Sequence, residues 1–364
     1  MKITDIKTIA LEVPFNHRGG PKASGGRGWK VLSIVLVQVT TDTGIVGYGE
    51  AFSYGCRRAV QAVIEDTIAP FAIGQDASNI AGLSRDLQQK LHLFGRHGIT
   101  IFGLSGLDLA LWDIAGKAAG VPVHKLLGGP AHKRIEGYAS LFRFADVDSV
   151  VDNCRKAVDE GFKYIKLHEI TEPEVRAARE TVGPDIAIMI DTNCPWTPAQ
   201  ARLAARWMKQ YDPFWLEEPI FGPEDFRALA RLRRESGIPI AIGENACTAY
   251  EFQAMFAAEA VDYAQPSVTK VGGITEFRKV ATLAETQGVT VVPHSPYFGP
   301  GFLATLQLMA AQPVPGLIES YYVTPEATLY GSVIAPEGAA FKVPEGPGLG
   351  ADPDPAIIEK YRVG

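Results

Sequence analysis

The chain has 364 residues, 46% of them hydrophobic, and a formal net charge of −6 at pH 7. This length is enough for two domains or for one large barrel with additions, and the hydrophobic content supports a well-filled core. The mildly acidic balance argues against nucleic acid as a general partner, because such proteins present a basic stripe or patch.

The N-terminal stretch MKITDIKTIALEV alternates polar and apolar residues, which predicts an edge strand rather than a signal peptide. No run of about 18 apolar residues follows, so no membrane span is expected. The four cysteines are scattered without paired spacing, which is typical of free thiols in a cytoplasmic protein. They are Cys56, Cys154, Cys194 and Cys247.

Residues 30–51, KVLSIVLVQVTTDTGIVGYGEA, have the pattern of a hairpin with its turn at TDTG. The preceding residues 15–29, FNHRGGPKASGGRGW, are rich in glycine and predict a loop. This loop is either a surface connection or a lid that folds over an anionic ligand. The basic residues that could meet such a ligand are Arg18, Lys22, Arg27 and Lys30.

Residues 105–129, SGLDLALWDIAGKAAGVPVHKLLGG, predict a helix that is capped by Ser105 and ends at Gly120. The segment HLFGRHG (92–98) before it is a second candidate lid. Its Arg96 and His97 are residue types found more often as solvated surface groups than as ligands.

From residue 134 onward, short apolar runs recur roughly every 25 residues with helical stretches between most of them. The runs cover residues 134–141, 163–168, 185–191, 213–218, 238–244, 261–267, 289–294 and 315–320. Strand–helix alternation over eight strands predicts a (β/α)₈ barrel. The tail, residues 334–350, has the pattern of short strands and turns that return to the N-terminal domain.

Polar residues follow the predicted strands, at the ends that face the active site in such a barrel. In strand order they are Lys166 and His168, Asp191, Glu217 and Glu218, Glu244, Ser267 and Lys270, His294, and Glu319. Three successive strands thus end in carboxylates, which would repel one another unless a cation neutralises them. A hard divalent ion such as Mg²⁺ suits oxygen ligands, and zinc is disfavoured because no cysteine or histidine cluster accompanies the acids. The alternative is that each acid caps the next helix or pairs with a lysine.

Several motifs together resemble the enolase superfamily, closest to its mandelate racemase and muconate lactonizing branch. They are SGLDLALWDIAGK (105–117), IDTN (190–193), WLEEP (215–219), IGEN (242–245), KVGGI (270–274), VVPH (291–294) and GPGLG (346–350). The resemblance spans nearly the whole chain. It implies an α/β fold, a modified TIM barrel of (β/α)₇β type with an α+β capping domain. The implied bounds are 1–130 for the N-terminal part of the cap, 131–325 for the barrel and 326–364 for the C-terminal segment that returns to the cap.

The resemblance also implies that Asp191, Glu217 and Glu244 bind Mg²⁺, with Glu218 and Asn193 as candidates to support these ligands. The shared chemistry of the superfamily is removal of the proton beside a substrate carboxylate. It requires a cation to offset the developing charge and a base on one face of the substrate carbon.

Where relatives often carry Lys-x-Lys on the second strand, this chain has Lys166 and His168. We therefore expect His168 to be the base, with Lys166 as a cation beside the substrate carboxylate. The alternative for His168 is a structural histidine at a strand end. On the sixth strand, Ser267 stands where relatives place an Asp or Lys, so His294 lacks its usual carboxylate partner. It remains a candidate general acid.

The favoured reaction is dehydration of a hydroxy acid or sugar acid. Racemisation or epimerisation by His168 and His294 on opposite faces is the alternative, with lactone cycloisomerisation also open. A non-enzymatic barrel that binds a small acid is disfavoured by the intact carboxylate set. The further candidates for substrate binding are Lys270, Glu319, Arg18, Arg27 and Tyr297. The expected partner is a small-molecule carboxylate, without nucleic acid or membrane, and the resemblance implies a homo-oligomer.

Overall fold

The computed structural model of the protein describes residues 1–23 and 28–364, so the prediction for Arg27 lies outside the described residues. Two sheets organise the fold: an antiparallel sheet that contains the N-terminal strands, and a curled parallel sheet of eight strands. The prediction of a modified barrel with a capping α+β layer is confirmed.

The strands are β1 Ile3–Asn16, β2 Val31–Thr41, β3 Val46–Ala51, β4 Arg134–Ser140, β5 Tyr164–Leu167, β6 Ala187–Asp191, β7 Pro213–Glu217, β8 Ile240–Ile242, β9 Tyr263–Ala264, β10 Thr290–Val291, β11 Ile318–Tyr321, β12 Thr324–Pro325, β13 Ala340–Lys342 and β14 Arg362–Val363. The α-helices are α1 Arg57–Ala62, α2 Ala69–Ala72, α3 Ile80–Lys90, α4 Gly98–Ala119, α5 Val123–Leu126, α6 Val147–Asp159, α7 Glu172–Val182, α8 Pro198–Met208, α9 Phe226–Ser236, α10 Thr248–Ala257, α11 Gly273–Thr286, α12 Pro300–Ala311 and α13 Pro355–Tyr361. A π-helical segment, Val63–Ile68, joins α1 to α2, and short 3₁₀ turns cover His92–Phe94, Lys209–Tyr211 and Gly331–Ile334.

In the antiparallel sheet the strand order is β12-β1-β2-β3, with β14 also paired to β1. The long β1–β2 ladder and the β2–β3 hairpin confirm the predicted hairpin. Helix α4 lies directly on β3. A Cβ atom placed on Gly49 would come within 1.9 Å of the Gly106 carbonyl oxygen, so glycine at position 49 permits this close approach.

Helix α4 begins at Gly98, so the prediction of a start at Ser105 is wrong. Ser105 lies buried inside the helix, and its hydroxyl donates to the carbonyl of Ile101 one turn earlier instead of capping a helix end. The predicted end is confirmed, because Gly120 adopts the left-handed conformation that closes the helix. By length and composition α4 could cross a membrane, but 72% of its apolar window is buried inside the protein, as in a core helix.

In the parallel sheet the strand order runs from β10 through β9, β8, β7, β6, β5 and β4 to β11, so the last strand lies beside the first. Helices α6 to α12 alternate with these strands, which gives seven β/α units followed by a final strand. After β11 the chain adds β12 and β14 to the antiparallel sheet. It adds β13 to the amino-terminal end of β4 in the parallel sheet. The C-terminal segment therefore contributes strands to both sheets.

Buried polar contacts join the two layers. The Asp108 carboxylate of α4 accepts a hydrogen bond of 3.0 Å from the backbone N–H of Thr275 in α11, and Ser105 accepts one of 2.9 Å from Gly272. The second carboxylate oxygen of Asp108 is buried and has no partner among the described residues. Burial raises the pKa of Asp108 from its ordinary value of 3.8 to about 7, although the hydrogen bonds from Thr275 oppose this rise. At neutral pH this carboxyl therefore ionises only at a cost to folding.

Because the folded protein holds the Asp108 proton more tightly than the unfolded chain does, stability should fall as pH rises from about 4 to about 7. Asp108→Asn retains the acceptor for Thr275 and removes the ionisation. We expect this variant to have a flatter pH profile and to be more stable at pH 8, with an upper bound on the order of 4 kcal/mol. Urea unfolding across this pH range measures the effect. Asp159→Asn on the exposed end of α6 is the control, and an unchanged slope in Asp108→Asn would contradict the assignment.

Candidate active site

Three carboxylates meet at the carboxyl end of the parallel sheet. Asp191 is the last residue of β6, Glu217 is the last residue of β7 and Glu244 follows β8 by two positions. Asp191 and Glu217 are directly paired in the β6–β7 ladder, which sets them at the same height. One oxygen from each of the three lies within 4.8 Å of the others. We call these residues the carboxylate triad.

Lys166 of β5 lies beneath this triad and is fully buried. Its ammonium nitrogen is 3.2 Å from Asp191 Oδ2, 2.9 Å from Glu217 Oε1 and 3.0 Å from Glu319 Oε1. Burial alone would lower the pKa of Lys166, but the surrounding carboxylates outweigh burial and hold that pKa well above its usual range. Lys166 is therefore a fixed cation at the base of the site.

The charges of the triad are only partly balanced by Lys166. Burial raises the pKa of Asp191, but Lys166 and then His168 reverse that effect and hold it well below the usual range. The pKa of Glu217 is raised well above its usual range, first by burial and next by Asp191. Excess negative charge and three convergent oxygen donors fit a hard divalent cation such as Mg²⁺. The residues present are therefore compatible with the predicted metal.

Glu319 reaches the site because β11 pairs in parallel with β4. One of its oxygens accepts a 2.7 Å hydrogen bond from the Ser140 hydroxyl, and the other accepts 2.9 Å from the Ser295 backbone N–H. The pKa of Glu319 is lowered, because Lys166 and these donors outweigh the effect of burial. The carboxylate is held ionised against Lys166 on the floor of the site.

His168 follows β5 and contacts Asp191, with Nε2 3.1 Å from Oδ2, the same oxygen that contacts Lys166. Its Nδ1 lies against the backbone carbonyl of Leu141. A carbonyl oxygen can only accept, so Nδ1 carries a proton and donates it. Nε2 is the ring nitrogen that faces the triad, where it also meets an acceptor, since the Asp191 carboxylate can only accept.

His294 lies at the other end of the triad, with Nε2 2.8 Å from Glu244 Oε2. Its Nδ1 is 3.3 Å from the Ser267 hydroxyl, which in turn is hydrogen bonded to the hydroxyl of Tyr297. The orienting partner that the sequence did not reveal is this pair of hydroxyl groups. Tyr297 is buried and contacts the site through Ser267.

Asn193 and Glu218 lie directly behind the triad. The backbone N–H and side-chain amide of Asn193 donate to Asp191 Oδ1 at 3.0 and 2.9 Å. Glu218 accepts from the amide of Asn245 at 2.8 Å and from the thiol of Cys194 at 3.3 Å. Both predicted residues thus adjoin the triad, and burial, reinforced by Glu244, raises the pKa of Glu218 to about 8.

The other residues predicted to bind substrate are Lys270, Arg18 and Arg27, and the structure places them differently with respect to the triad. Lys270 is nearly buried, with its ammonium 4.7 Å from the centre of the Phe52 ring and 3.3 Å from Asn245 Oδ1. The guanidinium of Arg18 lies 4.2 Å from the centre of the Tyr322 ring, so the structure does not bring it to the triad. The place of Arg27 is not described.

Arg143 is a site residue that the sequence analysis missed. Its guanidinium donates to the backbone carbonyl of His168, and at 3.2 Å both to the carbonyl of Thr192 and to Asn193 Oδ1. It thereby connects the segments that carry His168 and Asp191. The sequence carries a signal for it, because Arg143 closely follows β4, the first barrel strand, and residues after barrel strands face the site.

Comparison with known proteins gives consistent matches. The family model described as "Mandelate racemase / muconate lactonizing enzyme, N-terminal domain" matches residues 7–128, and "Enolase C-terminal domain-like" matches residues 149–357. Arabinonate dehydratase of Saccharolobus solfataricus is 33% identical, over 99% of both chains. D-galactarolactone cycloisomerase of Agrobacterium fabrum is 34% identical, over 100% of this chain and 99% of its own. A solved racemase from Streptomyces coelicolor A3(2) with bound magnesium has a TM-score of 0.88 and 27% identity, with 99% of this chain and 100% of that chain covered.

Removal of the Lys166 charge should destabilise the metal-free protein, because it leaves Asp191, Glu217 and Glu319 buried without their shared cation. We expect Lys166→Met to lower the free energy of unfolding by about 3–5 kcal/mol, measured by urea titration in EDTA. Lys279→Met is the control, since Lys279 pairs with the buried Glu276 but is itself 54% exposed and should cost about 1 kcal/mol or less. Equal effects of the two substitutions would contradict the role given to Lys166.

Proposed function

This chain belongs to the mandelate racemase and muconate lactonizing group of the enolase superfamily and is a lyase or isomerase; from that premise we propose that it is a Mg²⁺-dependent sugar acid dehydratase. The proposed reaction removes the proton on the carbon beside the substrate carboxylate and then expels a hydroxyl from the next carbon. The relatives named as dehydratases and cycloisomerases of sugar acids and lactones support this substrate class.

The observation that carries the proposal is the position of two imidazoles at opposite ends of the carboxylate triad. His168 contacts Asp191 at one end, and His294 contacts Glu244 at the other. A substrate carboxylate at the triad would therefore have an acid/base group on each side. Elimination requires one base and one acid, so two separate imidazoles meet its minimum need.

Asp191, Glu217 and Glu244 would hold the Mg²⁺ ion. When bound, the ion supplies positive charge at the substrate carboxylate, where a second negative charge develops as the proton leaves. Lys166 adds fixed positive charge from below, and it requires no rearrangement during the reaction because its three contacts already hold it.

His168 is proposed as the base. Its Nδ1 proton is committed to the Leu141 carbonyl, so Nε2 is the atom available for the substrate proton, and it can serve as a base only when it does not donate to Asp191 Oδ2, which it contacts in this structure. Arg143 fixes the backbone of the same residue through its carbonyl. The ring is thus oriented through Nδ1 and the backbone through its carbonyl, without a carboxylate on Nδ1.

His294 is proposed as the acid that protonates the departing hydroxyl. A carboxylate at position 267 could only accept a hydrogen bond, which would place the ring proton on Nδ1 and leave Nε2 as a base. The Ser267 hydroxyl can donate to Nδ1 instead, which leaves the proton on Nε2, the nitrogen that faces the triad. Ser267 in place of an acid therefore favours elimination over racemisation between two bases.

Cycloisomerisation of a sugar lactone is the second candidate, supported by the 34% identity to D-galactarolactone cycloisomerase. It begins with the same proton removal, but the leaving group is the ring oxygen and remains part of the product. The same pair of histidines would serve both reactions. The difference lies in the substrate that the pocket accepts.

Incubation with a panel of aldonic acids, aldaric acids and their lactones in deuterated water with Mg²⁺ tests the reaction class. We expect a 2-keto-3-deoxy acid that has lost one water and carries one deuterium at carbon 3, with no turnover in EDTA. An isomeric product of unchanged composition from a lactone would indicate cycloisomerisation. Deuterium at carbon 2 of an inverted substrate would indicate epimerisation and overturn the proposal.

Substitution of the two histidines should affect different steps of the reaction. We expect His168→Gln to lower kcat by about 10²–10⁴-fold and to abolish exchange of the carbon-2 proton with solvent. His294→Gln should lower product formation while exchange of that proton persists, because only the second step lacks its acid. His132→Gln, at a partly exposed position just before β4, is the control. Loss of exchange in His294→Gln together with full exchange in His168→Gln would reverse the assignment.

A further inference from the structure

A second group of candidate metal ligands lies where α4 meets α10. His97 immediately precedes α4, Cys247 immediately precedes α10, and Glu251 is one turn inside α10. One donor atom from each lies within 4.8 Å of the others. The three residues, which we call the junction cluster, are separate from the carboxylate triad.

Local structure explains why these residues converge. Cys247 and Glu251 are four positions apart at the start of one helix, so they share a face. One oxygen of Glu251 accepts from the backbone N–H of Cys247, and the other is paired with His97 Nε2. Cys247 is 2% exposed, whereas the His97 side chain is 61% exposed and gives an ion a route from solvent.

The donor set differs in kind from that of the triad. One thiol, one imidazole and one carboxylate form a set that zinc-type ions prefer, whereas three carboxylates suit magnesium. Zinc bonds of 2.0–2.3 Å in a tetrahedral arrangement place donors about 3.5 Å apart, and the three donor atoms here already lie within 4.8 Å of one another. Three protein ligands leave a fourth position for water.

We propose that His97, Cys247 and Glu251 form a second metal site, selective for Zn²⁺ or a similar thiophilic divalent ion. On binding, the thiol proton of Cys247 passes to solvent and the thiolate, imidazole and carboxylate coordinate the ion. The site joins the segment before α4 to the barrel helix α10. It thereby fixes residues 92–98 against the barrel.

A cavity of about 360 Å³ connects this site to the active-site surroundings. Its lining includes His97 and Glu251 of the junction cluster and also Glu218 and Asn245, which adjoin the triad. An ion at the junction cluster would therefore lie along the same cavity as Asn245, whose side chain contacts Glu244. The proposal does not depend on which reaction the triad performs.

The test uses the full chain with Mg²⁺ in excess and Co²⁺ as a spectroscopic probe, followed by competition with Zn²⁺. We expect a thiolate-to-cobalt charge-transfer band that Zn²⁺ removes at one equivalent. Cys247→Ser should abolish the band, and Cys194→Ser, which alters the thiol beside the triad, should leave it intact. Cobalt in the triad alone gives no such band, because that site has only oxygen ligands.

His97→Gln provides a second measurement that does not disturb a buried position. We expect it to weaken Zn²⁺ binding by at least the roughly 10–100-fold typical of losing a supporting residue, with the same unfolding midpoint as wild type in EDTA. An absent band in wild type, a band that survives Cys247→Ser, or unchanged Zn²⁺ affinity in His97→Gln would each overturn the second site.

Discussion

The buried ammonium of Lys166 contacts carboxylates from three different strands, and the mouth of the barrel is arranged around it. Burying even one unpaired carboxylate is costly, and three close together would repel one another strongly. Because Asp191 and Glu217 come from central strands and Glu319 from the last strand, Lys166 contacts all three only when the sheet curls until β11 meets β4. Closure of the fold and assembly of the site are thus a single requirement.

The two imidazoles at the ends of the triad are oriented by different chemical groups, and the different roles proposed for them rest on this difference. His168 faces a backbone carbonyl, which is an obligate acceptor, whereas His294 faces a hydroxyl, which can donate. Neither imidazole has a carboxylate behind it.

The triad could be predicted because residues at the ends of neighbouring parallel strands must meet, whatever the details of packing. Other contacts could not. The bond between Lys166 and Glu319 depends on sheet closure, and the placement of Arg18 over Tyr322 depends on a loop with no periodic pattern. His97 and Cys247 are 150 positions apart, and only the docking of α4 on the barrel brings them together. No motif or spacing links these two residues in the sequence, so their proximity depends on tertiary packing alone.

The last strand of the chain is bonded to the first, since Arg362 and Val363 of β14 pair with Leu11 and Ala10 of β1. During synthesis on the ribosome, the strands and helices of the parallel sheet have all emerged before β14 does. The edge of β1 at Ala10 and Leu11 therefore stays unpaired until β14 has emerged. The barrel is in a position to fold first and to serve as the template on which the cap is completed, and a ribosome stalled before residue 362 would hold a chain whose cap is still unfinished.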